Sequence, residues 1–517
     1  MHHQNLLLKT FLFLILAELL SIFAWFFPQF NLICFGVILV LVFILALKKL
    51  QYGIYIAFAE LVIGSYGYLF SFNYGNTLIS IRIGIFLMIM VAWLIHLLRF
   101  SSFKKYYNEL KDFAFAKYYF LLTLVLIWGF VWGIIRGNNF GNVFLDFNNW
   151  LFYLYLLPLI TVSQSKRFWR EFSTVILAAL SWLLIKTLIF LYIFSHDFLW
   201  AWPELYTWIR DTRIGEVTQF SGNFYRVFLQ SQIFALLGFF VFLPLIANIK
   251  YSLAWFKKNS LLSCLPADAG HGQGYFSILL FCLTVIIVSF SRSFWVGLIA
   301  GLIIYFLIQF YKSEFITYKL RLKEGFGQIL KLILIFVVSL ILIFTVVNGP
   351  PGLMGTNLAS LISQRTNQIE AAGSSRINML QPLNRAIAIH PIIGSGFGSL
   401  VTYQSLDPRI LSTTAGASGE YTTYAFEWGY LDILLKIGLV GLSIYLLLIF
   451  KLLQSLWIRI KSLVMPNVNC QMSNVPLGLL LALISLLVVN TFTPYLNHPL
   501  GISFILLTTI FISNKNI

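Results

Sequence analysis

Four arginines and one glutamate are the residues in this chain best suited to chemistry. Arg213, Arg226, Arg292 and Arg376 each carry a planar fork of donors that matches phosphate oxygens and stays charged when partly buried. Glu427 can take a proton from a hydroxyl, more readily where a low-dielectric setting raises its pKa. Holding an anionic leaving group and deprotonating a nucleophile are the two needs of a transfer from a pyrophosphate-activated donor. There is no DxD pair, HExxH, Cys/His cluster, P-loop or dinucleotide fingerprint, so ligand spacing supports neither a metal nor a cofactor.

Each of these residues has a plainer reading beside the chemical one. Arg292 lies between two apolar runs, where it could bind a ligand or a lipid headgroup. Arg226 is expected to begin a helix after an external loop, and Arg213 could simply pair with Asp211. Arg376 and Arg385 are nine residues apart and face opposite ways on one helix, so only one can serve a given site. Arg376 is preferred. Glu427 could be a base, a structural carboxylate or an arginine partner, and the neighbouring Tyr421, Tyr424 and Trp428 could stack on sugars or mark a membrane interface. Lys436, Glu18 and Glu60 lie inside apolar runs, and a pairing of Lys436 with Glu18 or Glu60 would be structural.

The elements that must position these groups belong to a membrane protein. Of 517 residues, 59% are apolar and only 10% are charged, against roughly 25% charged in an average soluble domain. The net charge of +17 would suggest nucleic acid on a soluble protein; here topology and anionic lipid explain it, and no nucleic-acid partner is expected. Cys34, Cys264, Cys282 and Cys470 show no disulfide or metal spacing. The apolar stretch after Lys9 lacks a small-x-small cleavage site and reads as a retained span.

A bilayer core about 30 Å thick needs about 20 apolar residues per helix. Runs of that kind fall at 8–27, 29–47, 52–70, 79–98, 118–136, 147–163, 173–195, 226–247, 275–291, 293–311, 330–347, 429–450, 476–492 and 500–513. With the N-terminus inside, 23 Lys and Arg sort to inner loops and 10 to outer ones, with Lys186 and Lys436 within helices. All ten outer cations are Arg, whereas 18 of the 23 inner ones are Lys. Only two outer connections are long, one at about 195–225 and one at about 348–428, and long loops in a compact protein are commonly functional. Apolar spacing predicts helices at Leu353–Leu361 and Arg376–Ile392, with a Gly- and Thr-rich tip at Ser412–Gly419.

Three segments resemble the O-antigen ligase and polymerase family. They are Ser291-Arg292-Ser293-Phe294-Trp295-Val296-Gly297-Leu298; Ser375-Arg376 followed by a helix to His390-Pro391-Ile392-Ile393-Gly394-Ser395-Gly396-Phe397-Gly398; and Glu427-Trp428-Gly429-Tyr430-Leu431 with Ile437-Gly438-Leu439-Val440-Gly441-Leu442. The resemblance implies a membrane glycosyltransferase that uses a polyprenyl-pyrophosphate-linked glycan donor and a glycan or lipid-glycan acceptor on the outer face of the bacterial inner membrane, in cell-surface polysaccharide synthesis. It implies a pyrophosphate held by Arg292 and Arg376, with Arg226 at the re-entry into the membrane; Arg213, on the first outer loop and outside the resemblance, is a further candidate for the same anion. The sequence departs from the family where ligases usually carry His-Asn: Glu427 stands at the His proposed as base. That leaves Glu427 as the candidate base and shifts the expectation towards a polymerase or related transferase. His390 occupies a position the family does not reserve for His.

The expected fold is an all-α polytopic membrane protein of about 14 (range 12–14) transmembrane helices, with a large outer loop carrying short helices. Its parts are 1–274, with N-terminal spans and the first outer loop; 275–450, the ligase-like region; and 451–517, a C-terminal hairpin. Both termini are expected in the cytoplasm. A lipid-linked oligosaccharide flippase is the alternative, but it should show two similar bundles, and no repeat is detectable. An inactive scaffold relative would keep the hydropathy without needing the outer Arg and Glu residues.

Overall fold

A computed structural model describes residues 2–75, 77–99, 103–198, 202–221, 224–246, 272–312, 318–350, 371–406, 419–462 and 474–514. The first half runs α1 (His2–Phe26), α2 (Pro28–Lys48), α3 (Leu50–Gly64), the hairpin β1 (Ser71–Tyr74) and β2 (Thr77–Ser80), α4 (Ile81–Arg99), α5 (Phe103–Lys111), α6 (Ala116–Ile135), α7 (Phe140–Trp150), a short 3-10 turn, α8 (Leu156–Val162) and α9 (Lys166–Ser195). After these come α10 (Trp202–Asp211), the hairpin β3 (Gly215–Ser221) and β4 (Phe224–Leu229), α11 (Ile233–Ile246), α12 (Gly272–Val288), α13 (Arg292–Lys312) and α14 (Tyr318–Asn348). The chain closes with α15 (Ala371–Ile389), the hairpin β5 (Val401–Gln404) and β6 (Glu420–Thr423), α16 (Gly429–Ser462), α17 (Asn474–Asn490) and α18 (Pro499–Ser513).

Helices stand at every one of the predicted apolar segments. Among the described residues nine are long and apolar enough to cross a membrane, and the helices at Leu50–Gly64, Gln230–Leu245, Gly274–Val288, Asn474–Asn490 and Pro499–Ser513 are apolar but shorter. This is a multi-pass membrane protein. Helices α1 and α2 show why: they are apolar on all sides, and Leu12, Phe13, Leu16, Leu32, Ile33 and Val40 are more than half exposed, as suits side chains that meet lipid. Pro28 opens α2 at the first helical turn, where its missing N–H costs nothing, and so splits two runs separated by Phe27 alone.

The helices pack α11 against α17 and α12, α13 against α17, α1 against α9, α2 against α4 and α16 against α6. One continuous apolar core joins them, and a second, smaller cluster lies between α15, the β5–β6 hairpin and α16: Met379, Leu383, Ile387, Val401, Tyr403, Phe426 and Leu435.

Three expectations change. The fold is not purely helical, since three antiparallel two-stranded hairpins lie between helices. The segment expected to form a span from 226 instead enters its helix at Ile233, and Arg226 sits on strand β4 opposite Thr218. The run at 52–70 stops being helical at Gly64, where Ser65 takes a left-handed φ of 52°. The long segment between α14 and α16 carries the β5–β6 hairpin as well as α15; the helix expected at Leu353–Leu361 and residues 412–418 of the tip lie outside the described residues.

Candidate functional site

Arg292 is the first residue of α13, presented by a tight turn. Phe290 adopts a left-handed φ of 45° there, an uncommon conformation for a bulky side chain. The Ser291 and Ser293 hydroxyls lie 3.0 Å apart, and Thr493 donates to Ser293 at 3.2 Å, so the turn is tied to the α17–α18 connection. From the other side, Arg226 Nε donates to the Ser289 carbonyl at 2.9 Å. Strand β4 and the Ser289–Ser293 turn are thereby fastened through one of the candidate arginines.

Arg376 is positioned by the smaller core. Met379, Leu383 and Ile387 recur every four residues along α15 and bury one face of it against Val401, Tyr403, Phe426 and Leu435. At the head of the helix, Ser375 Oγ accepts the Leu406 amide at 2.8 Å, and Trp428 Nε1 donates to the Arg376 carbonyl at 2.9 Å. Arg376 Nε in turn donates to Glu427 Oε2, forming an ion pair. Arg385 points elsewhere and is exposed, as the half-turn relation along the helix requires.

Arg226, Arg292 and Arg376 act on one another. Burial lowers the Arg376 pKa from its ordinary value, and the positive charges of Arg226 and Arg292 lower it further. For Arg226 burial again leads; Glu216 opposes the shift and Arg292 adds to it. Three guanidinium groups crowded in this way favour the arrival of an anion. Strand β4, the turn before α13, α15 and the residues leading into α16 thus bring together four of the five residues singled out from the sequence: Arg226, Arg292, Arg376 and Glu427.

Arg213 stands apart from that group. It has a left-handed φ of 53°, and its guanidinium lies over the Tyr68 ring, 4.6 Å from the centroid. It does not take Asp211, whose Oδ2 accepts Trp25 Nε1 at 2.9 Å. Arg213 lines a cavity of about 290 Å³ together with Tyr66, Asp146, Tyr424, Lys436 and Asn497. The cavity adjoins the arginine group: Tyr424, Ala425 and Phe426 line it, while the next residue, Glu427, holds Arg376. Glu216 lies within electrostatic reach of both the cavity's Tyr66 and Arg226.

Lys436 is paired with neither Glu18 nor Glu60. Its Nζ sits 2.6 Å from Asp146 Oδ1 and 2.6 Å from Asp432 Oδ1, at the cavity wall. Glu18 is instead paired with Lys186, and Glu60 with Arg82 at 2.9 Å. Apolar periodicity brings helices together without saying which buried charges meet, so the partners were not legible. Two signs were available: Asp432 is four residues from Lys436, a natural helical pair, and Asp146 stands in a helix whose neighbours are mostly apolar. His498, also on the cavity wall, caps α18 by accepting the Leu500 amide through Nδ1 at 3.3 Å.

The glycine-rich Gly394–Gly398 segment is a structural clasp. Helix α16 breaks at Gly438, where φ is 68°, and this frees carbonyls that accept Ser395 N at 2.7 Å from Leu435 and Gly396 N at 3.0 Å from Lys436. Gly396, at φ 81°, packs so closely on α6 that an added Cβ would stand 2.4 Å from the Gly133 Cα. The Gly398 amide donates to Asp146 at 3.0 Å. The clasp therefore joins α6, α7 and the broken helix around Lys436. Among the described residues no group of three His, Cys, Asp or Glu side chains gathers as metal ligands.

Residues 277–446 match the family model described as O-antigen ligase. This region is similar to the O-antigen ligase family. It contains Arg292, Arg376 and Glu427, the clasp and the break in α16, whereas Arg226 comes to the site, and Arg213 to the adjoining cavity, from outside the matched residues. No curated protein matches the chain.

Proposed function

We propose that the chain transfers or polymerises a polyprenyl-pyrophosphate-linked glycan on the outer face of the bacterial inner membrane, in cell-surface polysaccharide synthesis. The observation that carries this reading is the grouping of Arg226, Arg292 and Arg376 around the Arg376–Glu427 pair, within and beside the O-antigen ligase region. The fourteen apolar helices would then be crossings, and charge sorting puts this end of the bundle outside and both termini in the cytoplasm.

The three arginines stabilise the pyrophosphate as it leaves, aided by the partial positive charge at the start of α13. The acceptor hydroxyl attacks the anomeric carbon, the bond to the pyrophosphate oxygen breaks, and Glu427 takes the hydroxyl proton. Arg376 occupies the Glu427 carboxylate. A pyrophosphate that draws Arg376 towards itself releases Glu427 to act as base, so the base becomes available when the donor is bound. No metal or other cofactor is part of this scheme. Arg213, grouped with the others from the sequence, lines the cavity beside the loop exit, and in this reading it serves the glycan rather than the leaving group.

Cells that accumulate lipid-linked glycan test the reading when they carry Glu427→Gln or Arg292→Ala. Loss of the proton acceptor is expected to slow transfer by about 10²–10⁴-fold, and Arg292→Ala to leave unused donor in the membrane. Wild-type chain length and transfer from the Glu427 variant would remove Glu427 as the base.

A further inference from the structure

The outer cavity carries chemistry that the pyrophosphate clamp does not use. Three cations line it, and two of them are already occupied. Arg82 donates through Nε and Nη2 to Glu60 at 2.9 and 3.0 Å, and through Nη1 to the Ser65 carbonyl at 2.8 Å. Lys436 lies between Asp146 and Asp432, so its charge is already taken up in the wall. Arg213 forms no ion pair among the described residues; it is exposed at the mouth and braced on Tyr68.

A second, independent observation lies deeper. Asn497 is 9% exposed, and its amide nitrogen donates to Asp432 Oδ2. Its Oδ1 is buried and has no hydrogen-bond partner, although such groups are nearly always satisfied. Asn497 lines the cavity, and a hydroxyl donor bound there would satisfy this oxygen. Tyr66, Tyr68 and Tyr424 supply ring faces and phenols around the same space. A volume of about 290 Å³ lies at the small end of ligand sites, which run from roughly 300 to 1,000 Å³, and so suits a single ring rather than a long oligosaccharide.

We infer that this cavity binds one pyranose of the glycan substrate and that the pyranose is a uronic acid, its carboxylate on Arg213 at the mouth and its hydroxyls turned inward to Asn497 and the Asp432 wall. The polarity of the cavity fixes that orientation. An anion pushed inward would find Lys436 already held by Asp146 and Asp432, whereas hydroxyl donors meet carboxyl and amide oxygens there. The inference rests on the glycan-transfer reading and deepens it, because it names the class of sugar.

The full chain in nanodiscs of uncharged lipid is titrated with methyl glucuronoside, methyl glucoside and inorganic pyrophosphate, with binding followed by saturation-transfer NMR. The wild type is expected to hold the glucuronoside about tenfold more tightly than the glucoside, the scale of one charge-assisted hydrogen bond. Arg213→Gln removes that preference and leaves pyrophosphate binding unchanged, whereas Arg376→Gln weakens pyrophosphate and leaves the preference intact. Melting curves establish that both variants are folded; the exposed position of Arg213 favours this. Equal binding of the two pyranosides overturns the inference, and so does a preference that survives Arg213→Gln. Loss of pyrophosphate binding in Arg213→Gln would assign Arg213 to the donor headgroup and overturn it as well. If pyrophosphate fails to bind the wild type while the sugar preference holds, the pyrophosphate clamp falls and the cavity assignment stands.

Discussion

Two sets of charges in this protein are arranged in opposite ways. Arg82–Glu60, Lys186–Glu18 and Lys436 with Asp146 and Asp432 have side chains at most 9% exposed, and each cation has one or more carboxylates. Arg376 and Glu427 are 38% and 47% exposed, with two further arginines in electrostatic reach of Arg376. A buried charge is tolerated only when paired, so the first set holds helices together. The second set places three positive charges within reach of one another at a partly exposed position, an arrangement suited to holding an anion.

Breaking one member of each set should separate the two roles. Lys436→Met would strand two buried carboxylates, at a cost of about 3–5 kcal/mol. We expect it to lower the melting temperature sharply or to prevent recovery of folded protein in detergent. Arg376→Met removes a half-exposed pair worth about 0–1 kcal/mol, so the variant should melt close to wild type while losing transfer. Equal melting of the two variants would erase the distinction.

A smaller effect comes from His498, which belongs to the scaffold by its contacts and to the cavity by its position. Burial, reinforced by the charge of Arg82, lowers its pKa to about 3 from 6.5. The ring must be neutral to accept the Leu500 amide through Nδ1. A lowered histidine pKa contributes stability above pH 6.5 that is lost as the pH falls towards 3, because the unfolded chain takes up the proton first. At pH 5 the loss relative to neutral pH is about 2 kcal/mol. His498→Asn keeps a capping side chain without a titrating ring, and its melting temperature should fall less between pH 7 and pH 5 than that of wild type. Parallel pH profiles would remove His498 as the cause.

Much of this division was legible in the sequence, but unevenly. The helices were, because a run of about 20 apolar residues has few other solutions. The ligase-like region was marked by the order of Ser291-Arg292, Ser375-Arg376 and Glu427-Trp428 along the chain. Arg226 was misplaced onto a helix because the apolar run beginning at Phe224 was extended into the next span. The Gly222-Asn223 pair, with short runs rich in β-branched and aromatic residues on either side, is a hairpin signal that should have competed with that reading. The partner of Lys436 was out of reach in part, since Asp146 is 290 residues away and meets it only when α7 and α16 pack. The cavity was hidden for the same reason: its walls come from connections scattered between Tyr66 and Leu500.

The finest test of the comparison lies within one helix. Arg376 and Arg385 share α15, a charge and an outer position, and differ in the face they occupy. Arg376 is held between Glu427 and the field of Arg226 and Arg292, whereas Arg385 is exposed on the side away from the apolar contacts of Met379, Leu383 and Ile387. Surface substitutions remote from special features usually change stability by about 0.5 kcal/mol or less. Arg385→Gln should therefore leave both melting and transfer near wild type, within about twofold in rate, while Arg376→Gln abolishes most transfer. If charge anywhere on the outer face were enough to attract the donor, the two variants would lose activity alike, and the arginine site would reduce to a diffuse field. A large difference between them requires a fixed anion position on one side of α15, and only Arg376 stands on that side.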